Sequence, residues 1–392
     1  MEETWRWFGP DDTVTLEQIS QAGASGIVSA LDHIPTGEAW PSADIEARKG
    51  LIEAAGLVWS VVESVPLHND IKLRTGDYRR YIDNYKQSIT NLGAAGVTRI
   101  CYNFMPVVDW TRTNLSYEMP NASQALRFEM TDFAAYDLFV LERDGAQNSY
   151  SAELIARATE RFAAMSVEEI AALESNVIAG LPGGEGSYDR EGIRAAIAEF
   201  AKLGNEAYRA NLVAFLNEVI PCADAAGVVM AVHPDDPPFS LFGLPRVVST
   251  ADDARTLLAA VPSNANGLTM CAGSFGARGD NDLVGMIREF RKRIHFVHLR
   301  NIRREADGSF YESDHLDGDN DIVGIVTALL DEEASRDPAS TFKRIPMRPD
   351  HGHTLGEERG DARVRPGYSY AGRMKGLAEL RGVIHALETI RQ

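Results

Sequence analysis

The sequence predicts an α/β protein, a (β/α)8 TIM barrel with a long helical insertion after the fourth strand. Two observations carry this reading. Eight apolar runs of strand length recur along the chain, each followed by a longer segment with helical spacing. The first run then leads into Phe8-Gly9-Pro10-Asp11, which lacks the glycine-rich phosphate turn that a doubly wound sheet would place there. Each parallel crossover needs a covering helix, and eight such strands close around a packed interior. Residues 1–392 are therefore expected to form a single barrel domain.

The elements follow in order. A strand over residues 4–8 precedes a short helix over 15–22, and the run 25–31 precedes a helix over 43–55 that Gly56 ends. The β-prone run 58–65 leads to a helix over 78–94, where Tyr78, Tyr81, Ile82, Tyr85, Ile89 and Leu92 share one face. A fourth strand covers 99–104. The second half continues with helix 206–226, strand 228–233, helix 251–261, strand 268–271, helix 282–293 and strand 294–299. Helix 322–333, strand 345–350 and a last helix over 373–387 complete the set. Pro221 predicts a kink or a split in its helix, and Cys222 beside it reads as core.

One connection breaks the rhythm. Roughly a hundred residues, 106–205, separate the fourth strand from its helix, where a βα loop takes about 2 to 6. Ser166-Val167-Glu168-Glu169 reads as a capping box, and Leu181-Pro182-Gly183-Gly184-Glu185-Gly186 as a turn between two helices. Because βα loops sit at the C-terminal face of a barrel, this insertion is expected there as a helical lid or a subunit contact. A homo-oligomer, a dimer, is the expected assembly.

Charge narrows the partners. With 39 Lys+Arg against 57 Asp+Glu, the net charge of −18 repels phosphate backbones and anionic lipid, so neither nucleic acid nor membrane is an expected partner. The first residues lack the basic and apolar regions of a signal peptide, and a cytoplasmic address is expected. Three cysteines, Cys101, Cys222 and Cys271, are too few for a disulfide framework.

Strand ends are where such a barrel does chemistry. The fifth ends in His233, the sixth in Cys271, the seventh in His298 and the eighth in Asp350. Side chains alternate faces along a strand, and the helix-covered outside is apolar. Val228, Met230 and Val232 therefore leave His233 facing inward; Leu268 and Met270 do the same for Cys271, Val297 and Leu299 for His298, and Ile345 and Met347 for Asp350. Two imidazoles, a thiolate and a carboxylate suit a transition ion with open positions and disfavour Mg²⁺ and Ca²⁺. The set does not choose among Mn²⁺, Fe²⁺ and Zn²⁺.

Several longer motifs then carry a family resemblance: Thr4-Trp5-Arg6-Trp7-Phe8-Gly9-Pro10, Cys101-Tyr102-Asn103-Phe104-Met105-Pro106, Asp109-Trp110-Thr111-Arg112-Thr113, His233-Pro234-Asp235-Asp236-Pro237-Pro238, Met270-Cys271-Ala272-Gly273-Ser274, His298-Leu299-Arg300-Asn301, Arg348-Pro349-Asp350-His351-Gly352-His353 and Arg365-Pro366-Gly367-Tyr368. Nearly the whole chain resembles the mannonate dehydratases of hexuronate breakdown, a branch of the xylose-isomerase-like barrels. The resemblance implies Mn²⁺ or Fe²⁺ held by His233, Cys271, His298 and Asp350. It also implies dehydration of D-mannonate to 2-keto-3-deoxy-D-gluconate, with His351 and Tyr368 as the proton-transfer groups.

That chemistry needs one group to remove the C2 proton and another to protonate the departing C3 hydroxyl. Which of His351 and Tyr368 plays which part stays open in the sequence. Arg300 and Arg348 are candidates for the substrate carboxylate or for pairing with structural acids, and Asn103, Asn301 and Glu63 for substrate hydroxyls. His33 and His68 read as surface residues. The acidic run from Asp314 to Asp321 reads as helix capping rather than a calcium loop. Two other readings are a metal-dependent sugar isomerase of the same superfamily, which the sulfur ligand disfavours, and a sugar-acid binding protein without a metal.

Overall fold

The computed structural model describes residues 1–178 and 188–391. Its strands, in chain order, are β1 (Glu2–Arg6), β2 (Gly26–Ser29), β3 (Val58–Glu63), β4 (Arg99–Tyr102), β5 (Asn114–Glu118), β6 (Gln124–Phe128), β7 (Val229–Val232), β8 (Asn266–Cys271), β9 (Ile294–His298), β10 (Ile302–Arg304), β11 (Phe310–Glu312) and β12 (Pro346–Arg348). Eight of them close into a parallel barrel in the order β1-β12-β9-β8-β7-β4-β3-β2, the expected architecture. β1 pairs with β2 through Thr4↔Gly26 and with β12 through Glu2↔Pro346, which seals the cylinder. The barrel interior is filled by Val28, Val61, Cys101 and Phe296, while the larger apolar core lies outside, between strands and helices.

Local chemistry places the helices. The helix Tyr78–Ala94 buries Ile82, Tyr85, Ile89 and Leu92 on the predicted face. Thr15 caps Leu16–Gln21 with a capping box, and Asp321 caps Ile322–Ser335 by accepting from the Gly324 amide at 2.8 Å. The acidic run before that helix thus ends in a cap. The helix Asn205–Ala226 runs unbroken through Pro221, so the expected split is absent, and it stops where Gly227 takes a φ of 67°. Cys222 is half-buried and packs against the edge of the core, its thiol donating to the Lys86 carbonyl at 3.5 Å.

The long connection between β4 and β7 carries helices Ala152–Ala164, Val167–Ile178 and Arg190–Phe200. Ser166 and Glu169 form the predicted capping box, each accepting from the other's amide. The turn expected at 181–186 lies outside the described residues. The connection opens on something the sequence reading did not anticipate, a β-hairpin of β5 and β6. Its second strand pairs with β11, from the loop after β9, to build an antiparallel sheet in the order β10-β11-β6-β5. Phe128 and Phe310 stack across that seam at 5.8 Å, with Phe133 and Phe239 packed on Phe128. Both loops follow the C-terminal ends of barrel strands, so the sheet stands over the barrel mouth.

Phe128 is fully buried at this seam. Phe128→Ala should cost about 3–5 kcal/mol of stability in a denaturant titration, the cost of emptying a packed aromatic site; a loss below about 1 kcal/mol would mean that the sheet is not held by this cluster.

Candidate active site

The register of the barrel strands sets the site. Cys271 pairs with His298, and His298 pairs with Arg348, so all three reach the mouth at one level. Ligand atoms of His233, Cys271 and His298 lie within 4.8 Å of one another, and all three residues are buried. The inward orientation read from strand alternation places these three together. Asp350 sits beside rather than within that trio, its carboxylate 3.7 Å from His298 Nδ1. It lies two residues past β12 with a φ of 68°, a left-handed conformation that Asp tolerates better than most residues.

The donor set fits a divalent cation. His233 Nδ1 lies 2.7 Å from the Pro234 carbonyl, so its proton sits there and the Nε2 lone pair faces His298 Nδ1 at 3.2 Å. Burial pushes the His233 pKa down and so favours the neutral imidazole that binds metals. Cys271 Sγ accepts from the Ser274 amide at 3.4 Å and from its hydroxyl at 3.2 Å. His298 Nε2 accepts from Arg348 Nε at 3.1 Å and lies 3.2 Å from Glu63 Oε1, so neighbouring side chains fix its ring.

Around these ligands runs a buried ionic network. Arg112 pairs with Asp236 and Glu312, both at 2.9 Å. Arg300 pairs with Asp236 at 2.6 Å and Glu312 at 3.0 Å and lies 3.6 Å from Asp350. Arg348 pairs with Asp350 at 2.5 Å and Glu63 at 2.9 Å. Burial alone would raise the carboxyl pKa values. Arg348 with His351, His298 and Arg300 instead holds Asp350 well below its usual range, Arg348 with His298 lowers Glu63, and Arg112 with Arg300 lowers Asp236. Arg300 and His351 bring Glu312, likewise against burial, down to about 2. Three guanidinium groups thus face four ionised carboxylates, a surplus negative charge that suits a cation.

His351 and Tyr368 stand beside one another, their rings edge to face at 5.3 Å. The backbone holds them there. Gly352 donates to the Gly367 carbonyl at 2.8 Å, and a Cβ at Gly352 would meet the Gly372 backbone at 2.4 Å. His351 Nδ1 faces Glu312 Oε1 at 3.3 Å. Burial pushes the Tyr368 hydroxyl up to about 12.

A single cavity collects these groups, lined by His233, Asp350, His351, Tyr368, Arg300 and Arg348 together with Glu63, Asn103, Asp109, Trp110 and Asp236. Arg300 Nη2 is buried without a hydrogen-bond partner. Asn301 is absent from the lining: its amide donates to the carbonyls of His315 and Asn320 and its oxygen accepts from the amides of Ile302 and Asn320. Its expected role in substrate binding is corrected on that ground, since its hydrogen-bonding capacity is spent on backbone. His33 is exposed on Asp44, as expected of a surface residue, whereas His68 is half-buried, capping a short helix with its ring stacked on Tyr81 at 4.0 Å.

A D-mannonate dehydratase (UxuA) family model matches residues 1–392. The chain belongs to the D-mannonate dehydratase family. A mannonate dehydratase of Saccharophagus degradans is 66% identical over 393 residues, covering 100% of this chain and 99% of the relative. Mannonate dehydratase 2 of Agrobacterium fabrum is 56% identical, covering 99% and 98%. The crystal structure of mannonate dehydratase from Streptococcus suis serotype 2 superposes with a TM-score of 0.79 at 33% identity, covering 100% of this chain and 94% of that one. A xylose isomerase-like TIM barrel protein from Mycobacterium smegmatis shares the fold alone, with a TM-score of 0.50 at 12% identity over 95% and 87% of the two chains. Among the described residues no helix is long and apolar enough to cross a membrane.

Sequence reasoning assigned no role to Arg112, Asp236 or Glu312. Asp236 lies three residues past His233, and Arg112 lies within a quoted motif, so their positions were visible but their pairing was not. Glu312 sits on β11, a strand absent from the reading.

Two outcomes follow from this geometry. Cys271→Ser should weaken Mn²⁺ binding by more than about tenfold with far-UV circular dichroism unchanged, and equal affinity in anaerobic calorimetry would remove the sulfur from the ligand set. The four network carboxylates also titrate lower folded than unfolded. Their stabilisation is complete above about pH 4.5 and is lost as pH falls toward about 2, where Glu312 takes a proton. Near-UV circular dichroism should decay through that window, and a signal intact below pH 2 would contradict the network's role.

Proposed function

We propose that this chain dehydrates D-mannonate to 2-keto-3-deoxy-D-gluconate and water, as a hydro-lyase that holds Mn²⁺ or Fe²⁺ at His233, Cys271, His298 and Asp350. One arrangement carries the reading: His233, clustered with Cys271 and His298, lines the same cavity as His351 and Tyr368, in a chain of the family named above. The bound cation supplies Lewis-acid neutralisation of the charge that builds on the substrate carboxylate.

The residues divide the remaining work. Arg300 Nη2, a buried donor without a partner, hydrogen-bonds the substrate carboxylate. Its other nitrogens are tied to Asp236 and Glu312, so the guanidinium is held in place before substrate arrives. Arg348 is committed to Glu63 and Asp350 and positions both rather than reaching for substrate. Asn103 and Glu63 line the cavity and offer polar contacts to sugar hydroxyls.

His351 takes the C2 proton. The C2–H electron pair becomes the C2–C3 double bond, and the C3–O bond breaks. Tyr368, pushed up to about 12 by burial, is protonated at neutral pH and donates to the departing hydroxyl, which leaves as water. The resulting enol gains a proton at C3 and loses one from the C2 oxygen to give the 2-keto acid. Proton exchange with solvent returns His351 and Tyr368 to their starting states.

The deciding assay is anaerobic incubation of D-mannonate and its epimers with enzyme and added Mn²⁺ or Fe²⁺, reading 2-keto acid formation; no keto acid from any of them would overturn the proposal. Tyr368→Phe should lower kcat about 10²- to 10⁴-fold with metal content retained, whereas full turnover would exclude the hydroxyl as the acid.

A further inference from the structure

The side of the cavity across from His233 and Cys271 carries a charge that nothing so far uses. Arg6, the last residue of β1, is 5% exposed and lines the cavity together with Asp32, which follows β2. Its Nη1 is buried and has no hydrogen-bond partner. Its nearest carboxylate, Asp32 Oδ2, is 3.9 Å from Nη2, too far for a hydrogen bond. The guanidinium is held from behind: its carbon lies 4.6 Å from the centre of the Phe8 ring, which also packs against Tyr368 at 4.9 Å. A buried donor left unsatisfied is costly, so a partner for Nη1 is expected from outside the chain.

Topology says where that partner lies. In the closed order β1-β12-β9-β8-β7-β4-β3-β2, β1 stands diametrically across from β7, and β2 across from β8. Arg6 and Asp32 therefore face His233 and Cys271 across the mouth. A polyhydroxy acid whose carboxylate end is held at the metal cluster extends its other end toward them. A guanidinium donates to hydroxyl oxygens and a carboxylate accepts hydroxyl protons, so the two together complement neighbouring hydroxyl groups.

We propose that Arg6 and Asp32 form the subsite for the hydroxyl-bearing tail of the substrate, carbons four to six, and set the enzyme's preference for a six-carbon acid over shorter ones. The inference rests on the dehydratase reading for the orientation of the substrate.

The test compares D-mannonate with four-carbon 2,3-dihydroxy acids of the same C2 and C3 configuration, in the metal-loaded enzyme and in Arg6→Met and Asp32→Asn. The wild type should favour the six-carbon acid. Each variant should lose about 10- to 100-fold in kcat/KM on that acid and far less on the short one, so that the ratio falls toward one. Asp32 is partly exposed, so Asp32→Asn carries the test if Arg6→Met fails to fold. Equal losses on long and short acids would overturn the tail subsite, because Arg6 would then be acting at the reacting end; so would a wild type without length preference. Calorimetric binding separates the two claims. Length-selective binding that depends on Arg6, without keto acid formation, overturns the dehydratase reading and keeps the subsite. Keto acid formation with equal losses does the reverse.

Discussion

The mouth of this barrel is organised by the cost of burying charge. An ion moved out of water is stable only with a partner at hydrogen-bond range, and an unpaired one is severely destabilising. Glu312, Arg112, Asp236, Arg300, Asp350, Arg348 and Glu63 meet that demand by alternating in sign from the accessory sheet to β3. Because each guanidinium bridges two or more carboxylates, none can rotate away without stranding a neighbour. The network consequently fixes Asp350 and Glu63, and through them the imidazole of His298.

This explains why the accessory sheet belongs to the site rather than to the surface. Glu312, which faces His351, is carried on β11, and Arg112 lies just before β5. Neither strand is part of the cylinder. The barrel supplies the His233–Cys271–His298 cluster from its own strand ends, while the sheet over the mouth supplies counter-charges that hold Arg300 and the Glu312–His351 contact. The Phe128–Phe310 seam couples the two, since it joins a hairpin that follows β4 to a loop that follows β9.

What the sequence made legible was whatever depends on local periodicity. Alternation along single strands oriented His233, Cys271 and His298 toward one another, because a period of two leaves a strand residue only two choices of face. The helix Tyr78–Ala94 was readable for the same reason, its apolar residues recurring at one spacing. The hairpin was not: Arg127 finds its partner at Tyr311, a pairing no local window contains. Asn301 misled because a polar residue just past a ligand strand resembles a substrate contact, whereas the turns at His315 and Asn320 needed its hydrogen bonds. Arg6 passed unremarked because strand alternation says that it points inward but not that it lacks a partner there.

The balance of charge also bears on why a sulfur suits the proposed ligand set. Four carboxylates against three guanidiniums already leave one surplus negative charge in a largely buried network, and low polarity magnifies each further charge. A sulfur at position 271 adds no further carboxylate to that balance. A fifth carboxylate at Cys271 would ionise near pH 4 unless burial prevented it. The Ser274 amide and hydroxyl both point at that sulfur and hold it oriented. The mixed donor set then follows from the same constraint as the ionic network: every charge under the accessory sheet must have its counterpart within reach.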